Sequence, residues 1–338
     1  MIGVRDQEAE PQRGGEPRQQ VEQRQRVPAA RHREHGEPRL GEQPGPGQVS
    51  AEALRERRGV HGRKVASRLV RGNIPCMAQP IVVVDAFTER PFAGNPAAVC
   101  LLSEPAGDEW MRQVAREMNL SETAFLVREG DGFRLRWFTP AAEVALCGHA
   151  TLASAHWLWE SGAAAKDQPI AFETLSGRLL AMLSGRWIAL DFPAKPATAA
   201  TPPPELARAI GATPASFAVS QFDALAEVAS QDVVEDLHPD IGALATLPYR
   251  GLIVTARAQS AGFDFVSRFF APKVGVPEDP VTGSAHCVLG PFWRERLGKD
   301  DFLAYQASAR GGVVKVGVRG DRVLLGGQAV TVWKGELL

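Results

Sequence analysis

The sequence predicts an α+β protein of two pseudo-symmetric lobes, each a β-barrel-like sheet around a central helix. Three observations predict it. Glu278-Asp279-Pro280-Val281-Thr282-Gly283-Ser284-Ala285 has an upstream echo in Glu143-Val144-Ala145-Leu146-Cys147-Gly148-His149-Ala150. The preceding residues repeat too, Trp137-Phe138-Thr139-Pro140 before the first copy and Phe269-Phe270-Ala271-Pro272 before the second. Each copy then enters an apolar, Trp-containing segment, Leu152 to Trp159 or Cys287 to Trp293, which reads as a buried helix. Each half adds several short strands, as a sheet closed over one apolar helix requires.

Composition bounds the function. The chain has 338 residues, 44% hydrophobic and 23% charged, enough for two domains. Residues 1–76 hold 15 Lys+Arg against 10 Asp+Glu, about +5, which leaves 23 against 29, about -6, for the rest. A mildly acidic body argues against nucleic acid as a partner. Cys76, Cys100, Cys147 and Cys287 are too widely spaced for a disulfide framework or a CxxC metal pair, which fits a reducing, cytoplasmic setting. No apolar run is long enough to cross a bilayer, so no membrane role is expected.

Along the chain, residues 1–76 are rich in Arg, Gln, Glu, Gly and Pro and lack Phe, Trp and Tyr. Such a segment buries too little apolar surface to offset its ordering entropy, and reads as a disordered or non-native extension with Met77 as the true start. The first lobe is 77–193. It begins with the strand Ile81 to Phe87, and Phe92 to Val99 turns into a second, Ala98 to Leu102. Asp108 reads as an N-cap for a helix with Trp110, Met111, Val114, Ala115 and Met118 on one face, ended by Asn119. Thr123 to Val127 is a strand, Asp131-Gly132 a hairpin signal, and Phe133, Leu135 and Trp137 alternate with Arg134 and Arg136. A helix over about 149–160 follows, then short strands from Ala171 to Phe192. The Ala/Thr/Pro-rich stretch 194–204 reads as a stiff linker. The second lobe, 205–338, has a short helix ended by Gly211, strand pairs over 215–229, a helix over 231–246, and strands at Gly251 to Ala256 and Phe263 to Phe270. The second central helix runs to Leu297. The tail is β-rich with turns at Gly311-Gly312, Gly320-Asp321 and Gly326-Gly327.

The two loop-to-helix junctions are the candidate site. A Gly there permits close backbone approach, and the first helical amides lack partners and carry the positive dipole end, so a carboxylate or phosphate is welcome. Asp279, His149, Ser284 and the Cys147 thiol stand around it. The plainer alternative is a capped helix, with Asp279 or Thr282 near the N-cap and Ser284 in the first turn. Glu122 lies between helix and strand, either as a surface or capping acid or as one projecting into a cleft where burial raises its pKa. No ligand cluster with metal spacing, P-loop or dinucleotide fingerprint is present.

Taken together, Asp85-Ala86-Phe87, Phe92-Ala93-Gly94-Asn95-Pro96, Asn119-Leu120-Ser121-Glu122-Thr123-Ala124-Phe125, Cys147-Gly148-His149-Ala150-Thr151 and Glu278 to Ala285 resemble the phenazine-biosynthesis PhzF-like family over residues 80–338. The resemblance implies a diaminopimelate-epimerase-like fold with the site between the lobes, and a homodimeric isomerase with no cofactor and no metal. It implies that Glu122 is the acid/base, that His149 and Asp279 join it in catalysis, and that Gly148, Gly283, Ser284 and Cys147 line the pocket for a small carboxylate-bearing substrate. In two-thiol epimerases of this fold each half supplies a Cys. Here Cys147 stands at the first position and Thr282 at the second, and a Thr hydroxyl is too weak an acid for that task. Single-base proton transfer along a small amino or hydroxy acid is therefore expected. An amino-acid epimerase or racemase and a non-catalytic small-acid-binding protein remain the alternatives.

Overall fold

The apolar run after Met77 forms β1 (Gln79–Ala86), which pairs antiparallel with β2 (Asn95–Leu102). α1 (Asp108–Met118) returns the chain so that β3 (Glu122–Glu129) lies parallel to β2, and β4 (Gly132–Phe138) folds back on β3. The two-residue β5 (Glu143–Val144) extends β4 and leads to α2 (Gly148–Glu160). β6 (Ile170–Thr174) is parallel to β4, and β7 (Gly177–Ser184) and β8 (Trp187–Pro193) follow as a meander. This computed structural model describes residues 78–338. The expectations for residues 1–76 and for Met77 lie outside them.

The second half repeats the first. β9 (Thr198–Ala199), α3 (Leu206–Ile210), β10 (Ser216–Val219) and β11 (Asp223–Glu227) come first, then α4 (Gln231–Glu235) and α5 (Ile241–Thr246). β12 (Gly251–Arg257) is parallel to β11, β13 (Phe265–Ala271) antiparallel to β12, and β14 (Val276–Asp279) extends β13 as β5 extends β4. α6 (Gly283–Leu297), β15 (Asp301–Gln306), β16 (Gly312–Arg319), β17 (Arg322–Gly327) and β18 (Ala329–Leu337) complete the chain.

The ladders match strand for strand. One half runs β18-β1-β2-β3-β4-β6-β7-β8 and the other β9-β10-β11-β12-β13-β15-β16-β17, with parallel and antiparallel pairs at the same places. β8 and β17 then pair, joining the halves. The outermost strands are exchanged: β9 follows β8 yet pairs with β10, and β18 follows β17 yet pairs with β1. Part of the stretch 194–204 is thus an edge strand of the second half, and the last strand of 205–338 belongs to the first half's sheet.

A matching ion pair holds the loop before each central helix. Arg136 donates to both oxygens of Glu143 at 2.7 and 2.6 Å, and Arg268 to both of Glu278 at 2.7 and 2.9 Å. Each guanidinium also covers the ring two residues on, 5.1 Å from Phe138 and 5.0 Å from Phe270. α2 packs on β1, β2, β3, β8 and β18 and α6 on β16 and β17, each buried along most of its length, as a helix apolar on all sides should be. Trp293 of α6 stacks on Phe265 with centroids 5.6 Å apart and donates Nε1–H to Thr255 Oγ1.

Several local expectations change. Gly107, not Asp108, is the N-cap of α1: its backbone is extended and its carbonyl accepts from the Met111 amide, while Asp108 is already helical and its carboxylate accepts from Arg136. The tight turn between β3 and β4 is Gly130-Asp131, one residue earlier than expected, since Glu129 pairs with Gly132 and Gly130 takes the positive φ. Residues 231–246 form two helices: Pro239 lacks the amide a continuous helix needs, and Asp240 caps the second through the Ala243 amide. Gly326-Gly327 is the end of β17 rather than a turn. A Cβ on Gly327 would come within 2.5 Å of Phe87 and 2.7 Å of Leu152, so packing, not a bend, selects glycine there. Among the described residues no helix is long and apolar enough to cross a membrane.

Candidate active site

The two central helices point their N-termini at one another. A Cβ on Gly148 would lie 3.6 Å from Gly283 Cα, so the first residues of α2 and α6 are in contact. The N-cap residues are Cys147 and Thr282, and neither side chain caps its helix. The Thr282 hydroxyl is turned away, donating to Asp279 Oδ2 at 2.6 Å. Neither Asp279 nor Ser284 caps α6. Two helix starts thus face one cleft without side-chain caps, a favourable field for an anion.

The titratable groups meet there in a chain. Glu122 is the first residue of β3, not a residue between elements, and its Oε2 lies 3.3 Å from His149 Nε2. That approach is not aligned as a hydrogen bond, so the buried Nε2 is without a partner. On its other edge, His149 Nδ1 faces Asn95 Nδ2 at 3.2 Å and Cys147 Sγ at 3.5 Å. Asn95 Nδ2 donates to Asp279 Oδ1 at 2.8 Å and to the Val281 carbonyl at 2.9 Å. Gln306 closes the far side, accepting from the Thr282 amide and donating to the Asp279 carbonyl. Glu122, Cys147, His149, Asp279, Gly148 and Gly283 are therefore brought together; Ser284 stands exposed at the α6 start, held by Arg250 at 3.0 Å.

Burial tunes these groups in opposite directions. The Glu122 carboxyl is raised to about 7, first by burial and then by the nearby Asp279 charge, with the Cys147 thiol pulling it down. Burial raises Asp279 to about 6 against the hydrogen bonds from Thr282 and Asn95. Burial lowers His149 to about 3, so it is a neutral imidazole at physiological pH. Cys147 is held well above the usual thiol range by burial and by the Glu122 charge, so it stays a thiol. The site thus holds two carboxyls raised by burial, Glu122 the higher of them, beside a neutral imidazole.

Glu122, Cys147 and His149 offer donor atoms within 4.8 Å of one another, a spacing a metal ion could use. Cys147 approaches Nδ1 of His149 and Glu122 approaches Nε2, and the Cys147 thiol is also a hydrogen-bond partner of the Glu122 carboxyl. A surface pocket of about 450 Å³ lined by Ala194, Pro291, Arg294 and Asp321 contains none of the site residues.

Two residues central to the network were not singled out from sequence. Asn95 had a signal, an amide side chain beside Pro96 at the head of an apolar strand. Gln306 had only its polarity at the end of β15. His286 is no part of the site: it donates Nδ1–H to the Thr282 carbonyl and packs on Phe265. Cys100 and Cys287 are buried core thiols, each pushed up to about 12 by burial.

The model of the phenazine biosynthesis-like proteins (PhzC-PhzF) matches residues 84–335, nearly the whole described chain. The chain belongs to this family. An uncharacterized isomerase of Halalkalibacterium halodurans is 54% identical over 263 residues, 78% of this chain and 99% of the relative. A human phenazine biosynthesis-like domain-containing protein is 42% identical, over 77% of this chain and 99% of its own length. The crystal structure of a PhzF-family protein from Enterococcus faecalis superposes with a TM-score of 0.75 at 41% identity, covering 78% of this chain and all of that one. The family's two-lobed α+β fold is the one described above.

Strand register extends the comparison between the halves. Phe138 pairs with Thr123 and Phe270 with Leu252. Phe138 and Phe270 are equivalent, so Glu122 corresponds to Gly251, as Cys147 does to Thr282 and His149 to Ser284. A Cβ at Gly251 would sit 2.4 Å from the Phe269 ring. The second half therefore has no room for a counterpart to Glu122.

Proposed function

We propose that this protein is an isomerase that moves a proton between carbons of a small amino or hydroxy acid, with Glu122 as its single acid/base. The observation that carries this is the pairing of a Glu122 carboxyl near 7 with Gly251 and Thr282 at the equivalent positions across the cleft. A base that can release its proton again needs a pKa close to the working pH. Inversion at one carbon needs a second acid/base on the opposite face. The glutamate position has only Gly251 as its mate, and the cysteine position pairs a protonated thiol with a hydroxyl. The isomerase name carried by the Halalkalibacterium relative supports the same class.

In this mechanism the substrate carboxylate docks on the α6 start at Gly283 and Ser284. Glu122, as carboxylate, removes a proton from carbon. The electron pair passes into the conjugated system, and Glu122, now the acid, returns the proton to another carbon. The neutral His149, through its unpartnered Nε2, and Asp279 hold the substrate's amine or hydroxyl, favouring the enamine-like intermediate. General acid–base catalysis of this kind is worth roughly 10²–10⁴-fold.

The test is an NMR screen of cyclic and acyclic amino and hydroxy acids in deuterated water, with Glu122→Gln as control. A hit should lose hydrogen at one carbon and gain it at another, as deuterium wherever Glu122 exchanges with solvent before returning its proton, and Glu122→Gln should bind it without turnover. Exchange confined to one Cα with inversion would favour an epimerase. Near-native turnover by Glu122→Gln would end the assignment of Glu122.

A further inference from the structure

The cleft carries a second charged group that the proton transfer leaves unused. One residue before Gly251, and so at the position equivalent to Ser121, stands Arg250. Its Nη2 donates to Ser284 Oγ at 3.0 Å, and Ser284 is the counterpart of His149. In one half a carboxyl at the head of β3 thus approaches the second residue of α2; in the other, a guanidinium beside the head of β12 approaches the second residue of α6. The two contacts are related by the internal duplication, so Arg250 faces the same cleft as Glu122, from the opposite half.

Arg250 is built in rather than trailing in solvent. Asp223, 2% exposed, receives Nε at 2.8 Å and Nη2 at 2.5 Å in a bidentate pair. The fork is fixed by a buried partner and spends one edge on it. Among the described residues no hydrogen bond engages Nη1. The guanidinium lies over two rings, 5.5 Å from Phe222 and 5.9 Å from Phe269. Lys195 approaches Phe222 from its own side, 5.7 Å from the ring. Phe222 is half exposed at the β10–β11 turn, an apolar cover above two cations. Arg250 also lowers the pKa of Asp279, which places its charge within reach of the reaction centre.

We propose that Arg250, with Ser284 and the α6 start, is the carboxylate-recognition post of this cleft. The substrate is then an anion that binds with its carboxylate toward β12 and α6 and its reacting carbons toward Glu122. Neutral amides and esters of the same skeleton are rejected. The proposal rests on the isomerase reading for what happens at the carbon end, but recognition at Arg250 can be measured without turnover.

The experiment compares benzoate with benzamide, a planar carboxylate and its neutral isostere, by ligand-observed NMR titration. The wild type should prefer benzoate at least tenfold. Arg250→Gln should abolish the preference while benzamide binding stays within a factor of two, and Arg250→Lys, which keeps the charge and loses the fork, should retain part of it. Because Arg250→Gln strands the buried Asp223 carboxylate, the double variant Asp223→Asn/Arg250→Gln provides a folded chain lacking both charges; it too should show no preference. Glu122→Gln should keep it. Equal affinity of the wild type for both probes, no benzoate binding up to its solubility limit, or a preference surviving in either folded Arg250→Gln chain would overturn the proposal. Turnover surviving in Glu122→Gln would sink the isomerase reading and leave this one standing.

Discussion

Glu122→Gln should stabilise the protein, and only above a definite pH. The carboxyl is raised in the folded state from the ordinary 4.5 to about 7, chiefly by burial. Folding therefore favours its protonated form. A group with a raised folded pKa contributes most stability below its unfolded value and loses that contribution as pH climbs through the folded one. Between 4.5 and about 7 the displacement corresponds to roughly 3 kcal/mol, at about 1.4 kcal/mol for each pKa unit. The side chain is 18% exposed, so solvent screening leaves most of this in place. Glutamine is nearly isosteric and cannot ionise. Urea unfolding of both proteins at pH 4.5 and pH 8 should show a small difference at the lower pH and the glutamine chain more stable by up to about 3 kcal/mol at the higher. Equal gaps at the two pH values, or a less stable glutamine chain at pH 8, would refute the assignment of burial as the cause of the shift.

The same physics sets the pH–rate profile: kcat/KM should rise with pH through about 7 as the Glu122 carboxylate forms. Asp279→Asn removes the second cause of the raised pKa and should move that limb to lower pH, measured on whatever activity remains. Cys147→Ala should keep turnover within about tenfold, because the thiol stays protonated, and should move the limb to higher pH because its hydrogen bond holds Glu122 down. Gly251→Ala forces a methyl group 2.4 Å from the Phe269 ring, and urea unfolding should show a loss of about 1–3 kcal/mol, partly recovered by adding Phe269→Leu.

The duplicated loops and both buried helices could be read from residue pattern alone. Apolar all-round segments and Gly-containing junctions are local signals, and they mark α2 and α6 within a residue. Glu122 was legible as an unusual acid at a junction, and the family motifs raised it above a surface residue. What stayed hidden depends on pairing between distant strands. β9 and β18 look like a linker and a tail because nothing local says that each joins the other half's sheet. Arg250 is one of many arginines until Phe270 is known to face Leu252 across a ladder. Asn95 is a polar residue in a turn until β1, β2 and the β14–α6 loop converge on it.

The asymmetry of the site follows from how each half is packed. Both halves hold the same ladder, the same Arg–Glu pair and the same uncapped helix start, so the duplicated frame alone would present like groups from both sides. The difference is made by side chains one step removed from the cleft. Phe269 fills the space a Cβ at position 251 would need, whereas the equivalent position 122 in the other half carries a glutamate. With a carboxyl excluded there, the adjacent Arg250 takes the cleft, anchored on a buried aspartate. In the proposed mechanism one half supplies the proton carrier and the other a cation beside Asp279, which suits moving a proton along an anchored anion. Two matched bases would instead suit inversion at a single carbon. Adding a further carboxyl by Gly251→Glu together with Phe269→Ala should therefore leave proton migration slower than in the wild type, because it sets a third acidic group beside Glu122 and Asp279.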